Sequence, residues 1–399
     1  MLRGLGFAIV ALVAGSFAVA QQSGEGTPPE EGPISSAMPV EIGAVSAEDF
    51  FGRDAYKLSP IICPFKGEVK YKPGEISCGL LTVPENRTTP TSRAIDLHYV
   101  KIAARKPKDW DEKGKGEWSK RDNPIIYLTG GPGAQATGYV KRLKDHGVRD
   151  FRDLYILEQR GIGYSQDFCP LYGLFDPSAS NTPDFDEYLR AGLKAAEACF
   201  AAAQARGVDL SAYNTIENAR DVKALRRALG FEQWNMWGIS YGSFLGQQYL
   251  KEDPEGIRAA VIDAIAPLEP RARFHGVGRS YQRDLDLLEA ACKADENCAA
   301  AFPNLIARYK DAIVAVRDGG PIEIDAIDSE YFPSGKAWLF HDLIGALPFV
   351  QLYEQKNFGS LPAFISALTT MVEKEDYSAL RALTGSGGVG GASVSQGMY

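Results

Sequence analysis

Histidine is scarce in this 399-residue sequence, at four residues, and cysteine stops at six. No block of basic residues occurs and the net charge is −8, so the electrostatic footprint of a nucleic-acid binder is missing. No Cys-x-x-Cys pair is present and no histidine accompanies a cysteine, which removes the ligand spacing of a structural zinc site. Beyond residue 20 no stretch is long and apolar enough to cross a membrane. Neither a metal nor a cofactor is implied.

What is present is ordinary globular material, 45% hydrophobic and 24% charged, enough for one large domain or two. Residues 1–20 read as a secretory signal. Arg3 supplies the positive start, Leu5 to Val19 the apolar run, and Ala18-Val19-Ala20 a small-x-small cleavage site before Gln21. The mature chain is then expected to be secreted or periplasmic, with no membrane attachment after cleavage. An even cysteine count in an exported chain points to disulfides, and sequence proximity favours Cys63–Cys78, Cys169–Cys199 and Cys292–Cys298. Residues 21–59, rich in Gly, Pro, Ser and Glu, read as a flexible lead-in.

The remaining chain alternates in character. Ser77 to Val83 and Ala94 to Ala104 are strand candidates. In the second, Ile95, Leu97 and Tyr99 share one face, and His98 on the other is expected to be half-exposed. The doubly charged stretch from Lys106 to Asp122 reads as a solvated excursion. Pro124 to Leu128 is an apolar strand candidate that runs into Thr129-Gly130-Gly131-Pro132-Gly133. Such a loop exposes backbone N–H groups without side-chain obstruction, which suits an oxyanion hole. His146, just after it, reads as a surface residue. Leu154 to Leu157 is a further strand, continued by Glu158-Gln159-Arg160-Gly161-Ile162-Gly163-Tyr164-Ser165, where Gln159, Arg160 and Gly161 read as a tight supporting loop held by polar contacts. Phe185 to Ala205 and Thr215 to Leu229 are helix candidates, the latter with Ile216, Ala219, Val222, Leu225 and Leu229 on one face.

Next come a strand over Gln233 to Trp237, the run Gly238-Ile239-Ser240-Tyr241-Gly242, a helix from Ser243 to about Glu252, and a strand from Ile257 to Ile265. A Gly-x-Ser-x-Gly between strand and helix is the pattern of a nucleophile elbow. The sharp turn strains the serine backbone, and the glycines let neighbouring backbone pass close by. The hydroxyl stands over a helix N-terminus, which favours developing negative charge. The alternation from 124 to 265 implies an α/β fold, a parallel sheet covered on both faces with its site at the C-terminal ends of the strands. From Pro267 helices dominate, at Ser280–Ala294, Phe302–Arg317, Lys336–Phe349 and Leu361–Val372, with no buried strand between them. The expected division is a core over 60–267 and a helical cap over 268–395, inserted above the sheet's C-terminal edge and ending in a Gly/Ser-rich connector.

Three segments in serial order together resemble the proline iminopeptidase and tripeptidyl-aminopeptidase-like α/β-hydrolases. They are Thr129 to Gly133, Glu158 to Ser165, and Asn214 through Gly242. Thr129 stands where one branch of that family has His, and Glu158 where Asp is usual. The resemblance covers about residues 60 to 270. It implies serine hydrolysis, with Ser240 attacking a carbonyl to form an acyl-enzyme and the backbone N–H groups of Gly131 and Tyr241 holding the oxyanion. It also implies removal of an N-terminal residue or short peptide from a peptide with a free amine. An esterase on the same scaffold and a non-catalytic binding protein are the alternatives. An aminopeptidase needs a carboxylate for the substrate ammonium, and Glu269, Asp284, Asp286 and Glu289 are candidates.

On this scaffold the triad runs Ser, then Asp or Glu, then His. No stretch after Ile265 reads as a buried strand followed by an acid or by Gly-His, and Gly397-Met398-Tyr399 resembles the start of the return from cap to core (396–399). The expectation is that the last core strands, the acid and the base lie outside this sequence. Asp263 with His275 or His341 is the rival dyad.

Overall fold

A seven-stranded sheet runs in the order β1-β2-β3-β5-β4-β6-β7. Its strands are β1 (Lys57–Ile61), β2 (Ile76–Pro84), β3 (Ala94–Ile102), β4 (Ile125–Leu128), β5 (Leu154–Leu157), β6 (Trp234–Ile239) and β7 (Ile257–Asp263). The computed structural model describes residues 56–65, 67–114, 116–165, 181–269, 276–325, 334 and 336–375. The expected signal, the lead-in up to residue 55, Cys169, His275 and the connector after residue 375 lie outside the described residues.

The four strands β5, β4, β6 and β7 are parallel, and β1, β2 and β3 are antiparallel to their neighbours. The continuous apolar runs at 125–128 and 154–157 have a simple cause. Ile126, Leu128, Tyr155 and Leu157 enter the core that α3 (Thr215–Ala228) and α4 (Tyr241–Glu252) cover. Tyr127, Leu154 and Ile156 enter the opposite core, with α1 (Val140–Asp145). A strand buried on both faces has no polar side to show. Asn214 caps α3 by accepting from the Glu217 N–H, and Gly230 follows its end at φ 74°. Among the described residues β7 is an edge strand, with Val261 59% exposed.

The described residues divide into two compact units, one holding those within 56–165 and 201–268, the other those within 181–200 and 269–375. The second unit holds most of α2 (Phe185–Ala205), then α5 (Val277–Ala294), α6 (Glu296–Ala301), α7 (Leu305–Gly319), α8 (His341–Gln351) and α9 (Leu361–Lys374). Its core is Leu- and Ile-rich, and the Tyr309 hydroxyl, buried within it, donates to the carbonyls of Ile344 and Gly345.

One expectation fails here. Lys336 does not open a helix: Lys336–Leu339 is a strand (β9), paired antiparallel with β8 (Ile322–Asp325), and the helix begins only at His341. A short hairpin, buried only at Leu339 among its described side chains, therefore lies between the helices. The cause is local alternation, since Ile322 and Ile324 face the core around Leu339 while Glu323 between them pairs with Lys336.

Candidate active site

Ser240 lies where β6 turns into α4, at φ 56° and ψ −121°. A non-glycine residue persists in that region only where its surroundings over-determine it. Two hydrogen bonds on Ser240 do so, braced by two more behind them. The Ser240 N–H donates to the Asp263 carbonyl (3.0 Å). The fully buried Ser243 hydroxyl donates to the Ser240 carbonyl (2.5 Å) and accepts from the Ala266 N–H (2.8 Å). Gln247 Nε2 reaches the Ala266 carbonyl (2.8 Å). The elbow is thereby bolted to the backbone that follows β7.

The two flanking glycines are steric necessities. A Cβ on Gly238 would collide with the Gly242 carbonyl, and one on Gly242 with the Leu128 and Thr129 carbonyls at the end of β4. The first turn of α4 thus lies directly on the strand that delivers the glycine loop. That loop comes back to the serine: a Cβ on Gly130 would stand 3.0 Å from Ser240 Cβ and 3.3 Å from Ser240 Oγ. Gly131 and Gly133 have φ of 113° and 93°, which an L side chain rarely adopts, and the Gly131–Pro132 peptide is cis. Gly131 is buried, and Tyr241, the first residue of α4, is 9% exposed. The Tyr241 hydroxyl lies 2.9 Å from that of Thr215.

The supporting loop after β5 is buried at Glu158, Gln159 and Arg160. Arg160 donates twice to Asp221 (2.8 Å each), and also to the carbonyls of Glu85 and Ala212. Arg87 adds bonds to Asp221 (2.7 Å) and Glu217 (2.6 Å). Burial alone would lower the Arg87 pKa, but the Asp221 and Glu217 carboxylates win and hold it above its usual value. Gln159 and Asn218 line a small cavity together with Thr129, and Gln159 Nε2 and Asn218 Oδ1 have no hydrogen-bond partner among the described residues. Gly161, at φ 72°, closes the turn.

His98 is not half-exposed; its exposure is 0%. The face it occupies is covered by Tyr164 of the supporting loop (ring centroids 5.3 Å) and by Phe65 (6.4 Å). Burial lowers its pKa to about 4, and neither ring nitrogen finds a partner among the described residues. It is a neutral core residue. His146 is exposed, as expected, and stacks on Trp237 (5.5 Å). His341 lies against Phe185 in the helical unit (5.4 Å). Among the described residues no histidine hydrogen-bonds Ser240. Asp263 is exposed at the end of β7 and meets Ser240 through its backbone carbonyl. Asp284, Asp286 and Glu289 lie on α5, each beside a partner on that helix, at Arg283, Gln282 and Lys293. Two participants escaped the sequence reading. Ser243 could have been weighed from its place one turn into the helix, whereas the partnership of Asp221 with Arg160 has no local signal.

A strained serine at a strand-to-helix elbow, on the parallel part of a mixed sheet with helices on both faces, decides the architecture. The fold is that of an alpha/beta hydrolase. Residues 123–295 match the family described as alpha/beta hydrolase fold. The chain is 29% identical over 205 residues to the tripeptidyl aminopeptidase of Streptomyces lividans, covering 48% of this chain and 36% of that protein. It is 29% identical over 190 residues to a probable proline iminopeptidase of Streptomyces coelicolor (46% and 47% covered). It is 25% identical over 241 residues to serine protease Hip1 of Mycobacterium tuberculosis (57% and 43% covered). The chain spans under half the length of these relatives.

Proposed function

We propose that this hydrolase is an exported serine peptidase of aminopeptidase type, with Ser240 as nucleophile. The observation that carries the reading is the close approach of Gly130 to the Ser240 hydroxyl, at a serine held at positive φ. In this reading Ser240 Oγ attacks a carbonyl carbon, and the N–H groups of Gly131 and Tyr241 receive the developing oxyanion. One such donor contributes roughly 3 kcal/mol to lowering the barrier. The acyl group stays on Ser240 while the amine leaves, and water then releases the acid. The peptide substrate is supported by the three peptidase relatives, and export by the N-terminal pattern together with the disulfides Cys63–Cys78 and Cys292–Cys298. No acid or base is assigned among the described residues.

The test uses protein made from the complete reading frame. A fluorophosphonate probe is expected to label Ser240, and Ser240→Ala to abolish both labelling and turnover of chromogenic aminoacyl or tripeptidyl substrates. Undiminished labelling in Ser240→Ala would remove the assignment. Turnover of simple esters with none of any free-amine peptide would move the substrate class to esters. Turnover lost in Asp263→Ala and also in His275→Ala or His341→Ala, with folding retained, would instead favour the rival dyad.

A further inference from the structure

The supporting loop grips the glycine loop at two points. Glu158, 0% exposed at the end of β5, accepts from the Ala136 N–H (2.5 Å), the Thr137 N–H (3.2 Å) and the Thr137 hydroxyl (2.5 Å). These donors follow Gly131 by five and six residues, at the opening of the 3-10 turn Ala136–Tyr139. The second grip is at Gly163, where a Cβ would meet the Gln135 side chain at 2.8 Å. The gripping loop is itself braced. The Ser165 hydroxyl donates to the Glu158 carbonyl and accepts from the His98 N–H (2.9 Å each), and Gly161 N–H donates to the Ser165 carbonyl (3.0 Å).

Three donors converging on one carboxyl group need acceptors. An ionised carboxylate supplies only acceptors, whereas a protonated one gives up acceptor capacity to an O–H that, of these three partners, only the Thr137 hydroxyl can turn to accept. We propose that ionised Glu158 is the positioning residue that sets the oxyanion loop against Ser240, and that its protonation loosens Gly130 and Gly131 from the nucleophile. The inference rests on the reading of Ser240 as nucleophile.

Burial drives the Glu158 pKa up to about 7, opposed by the Thr137 and Ala136 bonds. Few charged or titratable groups face it. The Tyr164 phenol is raised by burial, with Glu68 and Glu158 adding to the shift. The His98 ring is held neutral by its own burial. The neighbouring Arg160 is committed to Asp221. The ionised, loop-holding form of Glu158 therefore grows as pH rises through neutrality.

The experiment compares wild type, Glu158→Gln, Glu158→Asp and Thr137→Val, all from the complete reading frame. It measures kcat and KM on a chromogenic acyl substrate and the rate of Ser240 labelling by fluorophosphonate, from about pH 5.5 to about pH 8.5, with melting curves as a control on folding. Glu158→Gln imitates the protonated acid. Its kcat is expected to match wild type at the acid end and to fall about 10- to 100-fold behind at the alkaline end, with KM little changed. Glu158→Asp is expected to recover part of the loss. Thr137→Val removes a bond to the charged form, so the acid limb of kcat should move to higher pH. A wild-type to Gln ratio flat across pH, or a loss confined to KM, overturns the proposal. Should Glu158→Gln fail to fold, an unmoved acid limb in Thr137→Val overturns it equally. Labelling that persists in Ser240→Ala would bring down the nucleophile itself, a separate failure.

Discussion

Ser240 is held at positive φ by groups that come from three directions: the Asp263 carbonyl, the Ser243 hydroxyl and the β4 backbone beneath Gly242. Strain of this kind costs on the order of 1–3 kcal/mol, and it fixes where the hydroxyl stands. Gly130 tests that placement at the scale of one methyl group. A Cβ there would lie 3.0 Å from Ser240 Cβ, closer than carbon atoms pack. Gly130→Ala is expected to lower kcat by about 100-fold, because a misplacement near 1 Å at the reacting centre is worth that much. Its melting temperature should hardly move, since the loop can yield. Turnover within a few-fold of wild type would show that the loop does not abut the nucleophile during reaction. The strand, serine and glycines at this site were legible because each obeys a local steric rule. His98 was not. Its alternation in β3 marks it as facing away from Ile95 and Leu97, but the loop that covers that face is drawn from Tyr164, across a gap in sequence that no periodicity records.

The elements β4, β5, β6, α3 and α4 were readable for a common reason. Continuous apolar runs and a single apolar helix face are what a sheet covered on both sides demands. The four-residue strands β8 and β9 fall below the length at which pattern alone separates strand from helix, so Lys336–Leu339 was read as the start of α8. What joins the elements was less legible still. Arg160, Arg87, Asp221 and Glu217 form one buried ionic cluster whose members are 61 to 134 residues apart where they bond. It ties the loop after β5 and the turn after β2 to α3. Asp221 and Arg160 are almost wholly inaccessible, so removing Arg160 leaves buried Asp221 with Arg87 alone and strips the Glu85 and Ala212 carbonyls of their donor. Arg160→Leu is expected to destabilise the sheet unit by about 3 kcal/mol, the lower end of what breaking a buried pair costs, measured as a shift in urea midpoint at constant slope. A change below about 1 kcal/mol would mean that the cluster relaxes to water rather than staying buried.

At the scale of the whole molecule, each compact unit carries its own cross-link. Cys63–Cys78 fastens the segment after β1 to β2 in the sheet unit, and Cys292–Cys298 joins α5 to α6 in the helical unit. Cys199 is also disulfide-bonded, and its expected partner Cys169 lies outside the described residues. The two described bridges differ in loop length and in access. The first closes a separation of 15 residues, the second one of 6. Constraint of the unfolded chain then gives about 3 kcal/mol for the first and about 2 kcal/mol for the second. Cys63 and Cys78 are both 5% exposed within the core formed by Phe65, Val100 and Ile102, whereas Cys298 is half-exposed. Thiol–disulfide exchange needs access to the sulfur. Mild reductant under native conditions should therefore open Cys292–Cys298 first, and Cys63–Cys78 only on unfolding, as read by timed alkylation and mass spectrometry. The paired variant Cys63→Ala with Cys78→Ala should lower the melting temperature of the sheet unit by roughly 6–12 °C, more than the pair Cys292→Ala with Cys298→Ala lowers that of the helical unit. Equal reduction rates would contradict the burial of the first bridge. An unchanged melting temperature after its removal would show that the surrounding core already holds the segment in place, with the cross-link adding nothing to stability.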